Sequence, residues 1–231
     1  MRIRLLGGFQ LARNGMRVAV PAAGQRLLAF LGVRGQVSRS LAAGTLWAEV
    51  TDEHALGSLR STIWRLNRGG LRLMTTHADT LSLSPVIRTD VGSFTTAAAT
   101  INAGRDHGEE EREQVLAAGE LLPGWYEDWV LLERERLRQV RLHVLEILSA
   151  RFTANRQFAP ALDVALETVR VDPLRESAHR AVVAVHLAEN NVAEAVRHYR
   201  GFRTLLLGEL GIEPSPEFTA MLPGQALVRM V

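Results

Sequence analysis

Apolar positions over Ile3-Arg4-Leu5-Leu6 and Phe9-Gln10-Leu11 predict strand. Asn14-Gly15 is a two-residue type I′ turn signal, so Arg17-Val18-Ala19-Val20 is expected to pair back. Helical spacing takes over from about Ala23 to Val33, with Leu27, Leu28 and Leu31 as its stripe, and Gly35 breaks it. Ser38 is placed to cap a second helix with Leu41, Ala42 and Leu46 on one face and Trp47 near its end. Glu49-Val50-Thr51-Asp52-Glu53 reads as a polar turn. A third helix is expected from about His54 to Arg68, stopping at Gly69-Gly70. At 100° per residue, Leu56, Leu59, Ile63 and Leu66 gather on one side, and Ser58, Ser61, Trp64, Arg65 and Arg68 fall opposite. Leu71 to Thr76, a turn at His77-Ala78-Asp79, and Thr80 to Leu83 form a second hairpin.

The second half has a different rhythm. Arg105 to Pro123 is irregular and acidic through Glu109-Glu110-Glu111. Leu121-Leu122-Pro123-Gly124-Trp125-Tyr126 reads as a turn that seats aromatic residues against the helical half. From Glu133 the pattern is helical almost without pause. Glu133-Arg134-Glu135-Arg136 opens a long helix, its charges read as a solvated face with Glu-to-Arg pairs at i+3. A repeat of 34 residues then relates Phe158 to Val192, Ala161 to Ala195, Leu162 to Val196 and Leu148 to Val182. That is the period of the tetratricopeptide helix–turn–helix unit. Asp172-Pro173 reads as a cap followed by proline at a first helical position, and a longer last helix closes at Gly211.

Charge sharpens the division. Residues 1–92 hold 12 Arg against 5 Asp+Glu, a balance of +7, whereas residues 93–231 hold 15 Arg against 20, a balance of −5. This asymmetry points to one half that faces nucleic acid and one that meets other partners. The domains are therefore expected at 1–92 and 93–231. The absence of cysteine removes thiolate catalysis, zinc fingers and disulfides. All 27 basic residues are arginine, so no P-loop or Schiff-base lysine exists. The longest charge-free stretch, Val91 to Gly104, is too short to span a bilayer. With no leader pattern at Met1, a cytoplasmic protein with no membrane partner is expected.

The expected fold is mostly α with a small β component: a winged helix-turn-helix of the OmpR type, then a helical domain of tetratricopeptide kind. Its third helix would enter the major groove and its C-terminal hairpin would be the wing. Ser58 and Ser61 let a helix backbone sit deep in a groove, while Arg60, Arg65 and Arg68 reach guanine edges or phosphates. Arg72 and Arg88 are further candidate phosphate contacts. An arginine-bearing face is also compatible with a solvated surface, and Trp64 with packing against the wing instead of facing DNA.

The search for catalytic or metal-ligating spacing returns Glu176-x-x-His179, which lacks the second copy a di-iron site needs. It reads as a surface pair within a helical repeat; His179 and His186 read as packing or interface residues. No enzyme activity, cofactor or metal is expected.

These residues carry a resemblance. Gln25-Arg26-Leu27-Leu28-Ala29, Leu46-Trp47 and Leu59 to Leu66 resemble the OmpR-like half of the Streptomyces antibiotic regulatory protein family. Gly119 to Tyr126, Asp172 to Arg180 and Glu209 to Pro216 resemble its helical bacterial transcriptional activation domain. The resemblance implies an activator of secondary metabolism that binds double-stranded promoter DNA at direct repeats, as more than one protomer, and recruits RNA polymerase. It also implies a polymerase-contact loop at Ala48, Glu49, Val50, Thr51, Asp52 and Glu53. Larger relatives add an ATPase domain, but Gly-x4-Gly-Lys does not occur here. The reading from another class is a protein–protein adaptor, in which the helical repeats bind a peptide and the winged helix does not bind DNA.

Overall fold

The computed structural model describes residues 1–68, 71–105 and 108–223. The expected Gly69-Gly70 stop lies outside the described residues. The fold is mostly helical with a small β component, as expected.

The chain divides into two compact units, residues 1–99 with 108–138, and residues 100–107 with 139–231. The expected break after residue 92 is not where the packing divides. Residues 108–138 join the first unit because their backbone and side chains are bonded into it, as described below.

In the first unit, β1 (Arg2–Arg4), β2 (Gln10–Arg13) and β3 (Met16–Val18) form an antiparallel meander. Asn14 and Gly15 have φ of 50° and 82°, the left-handed pair that a type I′ turn requires. Then follow α1 (Ala22–Arg34), β4 (Val37–Ser38), α2 (Arg39–Leu46) and α3 (Asp52–Arg68). Next come β5 (Met74–His77), β6 (Thr80–Leu83), β7 (Arg88–Thr89) and α4 (Asp90–Asn102). The strand orders are β3-β2-β1-β7 and β4-β6-β5. The second hairpin thus begins at Met74, not Leu71. Leu73 instead turns its side chain into the core, and its carbonyl accepts from Ser84 N at 2.9 Å.

Ser38 caps α2 as expected: its Oγ accepts from Leu41 N at 3.1 Å. Leu41 itself is exposed, and Ala43 takes the buried place beside Ala42 and Leu46. The sequence pattern does not disclose helix α4, because its Thr, Ser and Gly are weak helix formers and its charge-free run lacks a distinct polar face. Tertiary bonds anchor its start: the Asp90 carboxylate accepts from Leu5 N at 2.8 Å and Leu6 N at 3.0 Å.

After α5 (Glu109–Leu116), residues 119–129 are stitched to the sheet and to α1. Gly7 N donates to Glu120 O and Leu122 N donates to Leu5 O, at 2.8 and 2.9 Å. Phe30 and Trp129 meet edge to face at 5.2 Å. The long helix α6 (Asp128–Ala154) starts five residues before the expected Glu133. Its charge run is not wholly solvated. Glu133 is buried, and Arg134 donates to the carbonyls of Leu121, Leu122 and Trp125 at 2.7–2.9 Å. The i+3 pairs are present, Glu133–Arg136 at 2.6 Å and Glu135–Arg138 at 2.9 Å.

The second unit contains α7 (Phe158–Val171), α8 (Glu176–Ala188), α9 (Val192–Leu210) and α10 (Pro216–Ala220). Ala161 and Ala195, one repeat apart, are both fully buried, as are Leu148 and Val182. Helices approach closely where only a methyl intervenes. Gly211, with φ of 69°, ends α9 in the left-handed conformation. Asp172-Pro173 does not start a helix: Asp172 is the C-cap of α7, and α8 begins at Glu176. Proline has no N–H to continue α7, so the chain turns before the next helix. Nor are Glu176 and His179 a surface pair. The Glu176 carboxylate accepts from Ser215 N at 2.8 Å and from Ser215 Oγ, while His179 is buried.

Candidate nucleic-acid interface

Helix α3 is amphipathic, and its buried stripe shares Leu59 and Leu66 with the expected one. Ala55, Leu59, Thr62 and Leu66 are buried, spaced four, three and four apart. Leu56 and Ile63 flank them, half-buried. Thr62 stays inside by returning its hydroxyl to the Ser58 carbonyl at 2.8 Å. Helix α1 comes close to α3 at Gly24, where a Cβ would stand 2.8 Å from Leu66 Cδ2. Asp52 and Glu53 occupy the first turn and Arg65 and Arg68 the last, each matching the helix dipole.

The opposite face is open. Arg60, Ser61, Trp64, Arg65 and Arg68 are exposed and Ser58 is half-buried. Trp64 is 60% exposed, so it does not pack into the wing. Instead the Arg68 guanidinium lies 5.2 Å from its ring centroid. A cleft of about 610 Å³ runs along α3, lined by Glu53, His54, Gly57, Ser58, Arg60, Ser61, Thr62 and Arg65 of that helix, together with Trp47 and Ala23. His54 and Gly57 were missed in the sequence reading. Extending the stripe Ser58, Ser61, Arg65 back by one turn reaches His54, so the signal was present.

The wing is β5–β6. Its tip is His77-Ala78-Asp79, with Ala78 at φ 49°. Thr75 and Ser82 hydroxyls pair across it at 2.7 Å. Strand β4 ties the wing to α2, with Val37 opposite Leu81, and Arg39 N donates to Asp79 O at 2.8 Å. The wing is thus hydrogen-bonded to the segment that leads into α2. Arg72 is exposed in the segment that enters the wing. Arg88 is placed elsewhere: it lies on β7, beside Arg2 in the other sheet. It is not part of the wing or the α3 face.

Ala48 to Glu53 are all exposed, and Ala48 to Thr51 form the turn between α2 and α3, with Asp52 and Glu53 already in the first turn of α3. Among the described residues, no group of three or more His, Asp or Glu is arranged to hold a metal. No helix among the described residues is long and apolar enough to cross a membrane.

A family model described as the bacterial transcriptional activator domain matches residues 91–222. Among solved structures, the chain is similar to Mycobacterium tuberculosis EmbR, determined in complex with a low-affinity phosphopeptide. The TM-score is 0.72 at 20% identity, over 99% of this chain and 65% of that one. This chain thus spans about two thirds of that protein's length, and the likeness is one of fold. No curated protein matches the sequence.

Proposed function

The chain belongs to the bacterial transcriptional activator domain family, and from that premise we propose that it is a promoter-binding transcriptional activator working in the cytoplasm. Residues 1–92 read the operator and offer the α2–α3 turn to a protein partner, and residues 93–231 serve further contact with protein partners, with no catalytic step and no cofactor. Helix α3 enters the major groove. Ser58 and Ser61 allow close approach, Arg65 reads base edges, and Arg60, Arg68 and Arg72 hold phosphates. Protomers sit side by side on direct repeats, and the turn Ala48 to Glu53 meets RNA polymerase.

One observation carries the reading. The face of α3 turned away from the core presents Arg60, Arg65 and Arg68 around small serines, beside a wing locked to α2. An adaptor has no use for guanidinium groups concentrated there. Genome-wide footprinting of the purified protein on its own genomic DNA tests this. Discrete sites with repeated half-sites are expected. If no site is protected and no gel shift appears at low salt, the adaptor reading replaces this one.

A further inference from the structure

The first unit carries a second concavity, of about 550 Å³, on which the DNA reading makes no demand. One wall is the end of α2 and its following turn, Gly44 to Val50. The other is Tyr126 to Trp129, at the start of α6. An ion pair clasps the two walls. Arg26 Nε and Nη2 donate to the two Glu127 carboxylate oxygens at 2.9 and 2.8 Å, and Nη2 also donates to Leu46 O at 2.6 Å. Trp129 Nε1 donates to Glu127 Oε2 at 2.9 Å. The walls are therefore set before any partner arrives.

Two kinds of group remain unused in the concavity. The first is apolar. Tyr126, 78% exposed, is the most exposed large apolar side chain among the described residues, and Val50 opposite is 48% exposed. The second is acidic. Glu49 lines one wall and Asp128 the other; Asp52 and Glu53 follow Glu49 in the chain just beyond the concavity, Glu53 on the cleft along α3. All four are exposed. Among the described residues none of the four is in an ion pair. The basic group nearest the floor, Arg26, is already neutralised by Glu127.

An acidic island on a half with a +7 balance repels phosphate, so nucleic acid is not its occupant. It fits a basic polypeptide segment with one apolar side chain to insert between Val50 and Tyr126. We propose that this groove docks such a segment of RNA polymerase, and that Tyr126 and Asp128 form half of the docking surface with the α2–α3 turn. The proposal rests on the polymerase reading above and adds the second wall. Tyrosine suits the role: a large, stiff ring loses little rotamer freedom on docking. The exposed carboxylates act at longer range, steering a basic partner and raising the association rate at low salt.

The test uses the full-length chain on operator DNA and purified RNA polymerase holoenzyme. Wild type, Tyr126→Ala, Asp128→Asn and, as a control at an exposed apolar residue elsewhere, Val86→Ala are compared. Operator affinity is read by gel shift, holoenzyme binding by surface plasmon resonance, and output by run-off transcription. Circular dichroism melting confirms that each variant is folded. The expected result is unchanged operator affinity in all four. Tyr126→Ala should lower holoenzyme affinity at least about fivefold. Asp128→Asn should slow association and flatten its salt dependence, and Val86→Ala should match wild type. If wild type binds holoenzyme and the two groove variants bind equally well, the second wall is wrong while the polymerase reading stands. If wild type neither binds holoenzyme nor stimulates transcription, the polymerase reading falls and takes the groove with it.

Discussion

His179 and His198 share one hydrogen bond, with Nδ1 of the first 3.0 Å from Nε2 of the second. The other ring nitrogen of His179, Nε2, faces the Pro173 carbonyl at 2.9 Å, so it must carry the proton. His179 Nδ1 is then the acceptor, and His198 Nε2 donates. The His179 ring also stacks on Phe202 at 4.0 Å. Two neutral imidazoles thus link α8 to α9 and brace the turn before α8. Protonating His179 at Nδ1 would remove the acceptor and break this link, whereas a proton on His198 Nδ1 would place a charge beside the buried pair.

The first prediction follows from that chain. Burial lowers both pKa values: His198 falls to about 4, pushed further down by His179 and His186, and His179 falls despite the Pro173 carbonyl and Asp172. The unfolded chain takes up these protons near pH 6.5 and the folded chain only at lower pH. Stability is therefore fully present above 6.5 and is lost as pH falls towards 4. Thermal melts of the intact protein between pH 7.5 and 5 should show a falling midpoint. His198→Gln should flatten that slope; an equally steep slope in this variant would assign the pH dependence elsewhere.

The second prediction separates reading from holding. Arg65→Ala should cost about 1–3 kcal/mol of operator binding and relax preference at one or two base pairs. Arg72→Ala, at the entrance to the wing, should weaken all sequences alike. Binding assays on a randomised-site library measure both. An unchanged preferred site in Arg65→Ala would mean that another face of α3 reads the bases.

The third prediction concerns salt. Log affinity should fall linearly with log salt, by about 0.9 per phosphate neutralised. Arg60→Gln, Arg68→Gln and Arg72→Gln should each shallow that slope by nearly one unit. Arg88→Gln should leave it unchanged, because β7 carries this side chain in the sheet with Arg2. A shallower slope in Arg88→Gln would restore it to the DNA contacts.

What the sequence disclosed follows a physical line. The helical face of α3, the Ser38 cap and the Asn14-Gly15 turn are set by neighbours within a few residues, and the Ala161/Ala195 pair by a repeat of 34, so local pattern and periodicity expose them. The missed features depend on distant partners. Helix α4 is anchored by Asp90 bonding to Leu5 and Leu6, 85 and 84 positions away. Arg88 lies apart from the α3 face and the wing because β7 pairs with β1. Arg134 reads as a surface charge until three carbonyls from residues 121–125 converge on it. Likewise Tyr126 is a plain aromatic in sequence, and only the Arg26–Glu127 clasp sets it across from Val50.

The fourth prediction tests packing in the repeats. Ala161 and Ala195 have no exposed surface, and Ser149 Oγ donates to the Ala161 carbonyl at 2.9 Å. A larger side chain at either position must push helices apart. Ala161→Leu and Ala195→Leu should each destabilise the protein by about 1–3 kcal/mol. Urea titration followed by circular dichroism measures this. If both variants unfold at the wild-type midpoint, the close approach of helices at these alanines is not what holds the units together.

The last prediction concerns where the first unit ends. Charge and repeat pattern place a break after residue 92, yet the core of this unit is completed by residues 108–138. Leu121 and Leu122 are buried, Leu121 is bridged to Leu6, and the backbone of Leu5 and Gly7 is bonded to that of Leu122 and Glu120. Cutting after residue 92 leaves Leu5, Leu6 and Phe30 without these partners. It also leaves Arg26 without Glu127, half-buried and with only the Leu46 carbonyl to receive its protons. Each loss acts on the same small core, which has little surplus to absorb it. Residues 1–92 should therefore unfold at a clearly lower temperature than residues 1–138, with a broader transition, and should shift operator DNA more weakly. Differential scanning calorimetry of the two fragments and a gel shift on one operator decide it. Equal melting temperatures and equal affinities would show that residues 108–138 cover the winged helix without supporting it, and that the break in charge is also the break in the fold.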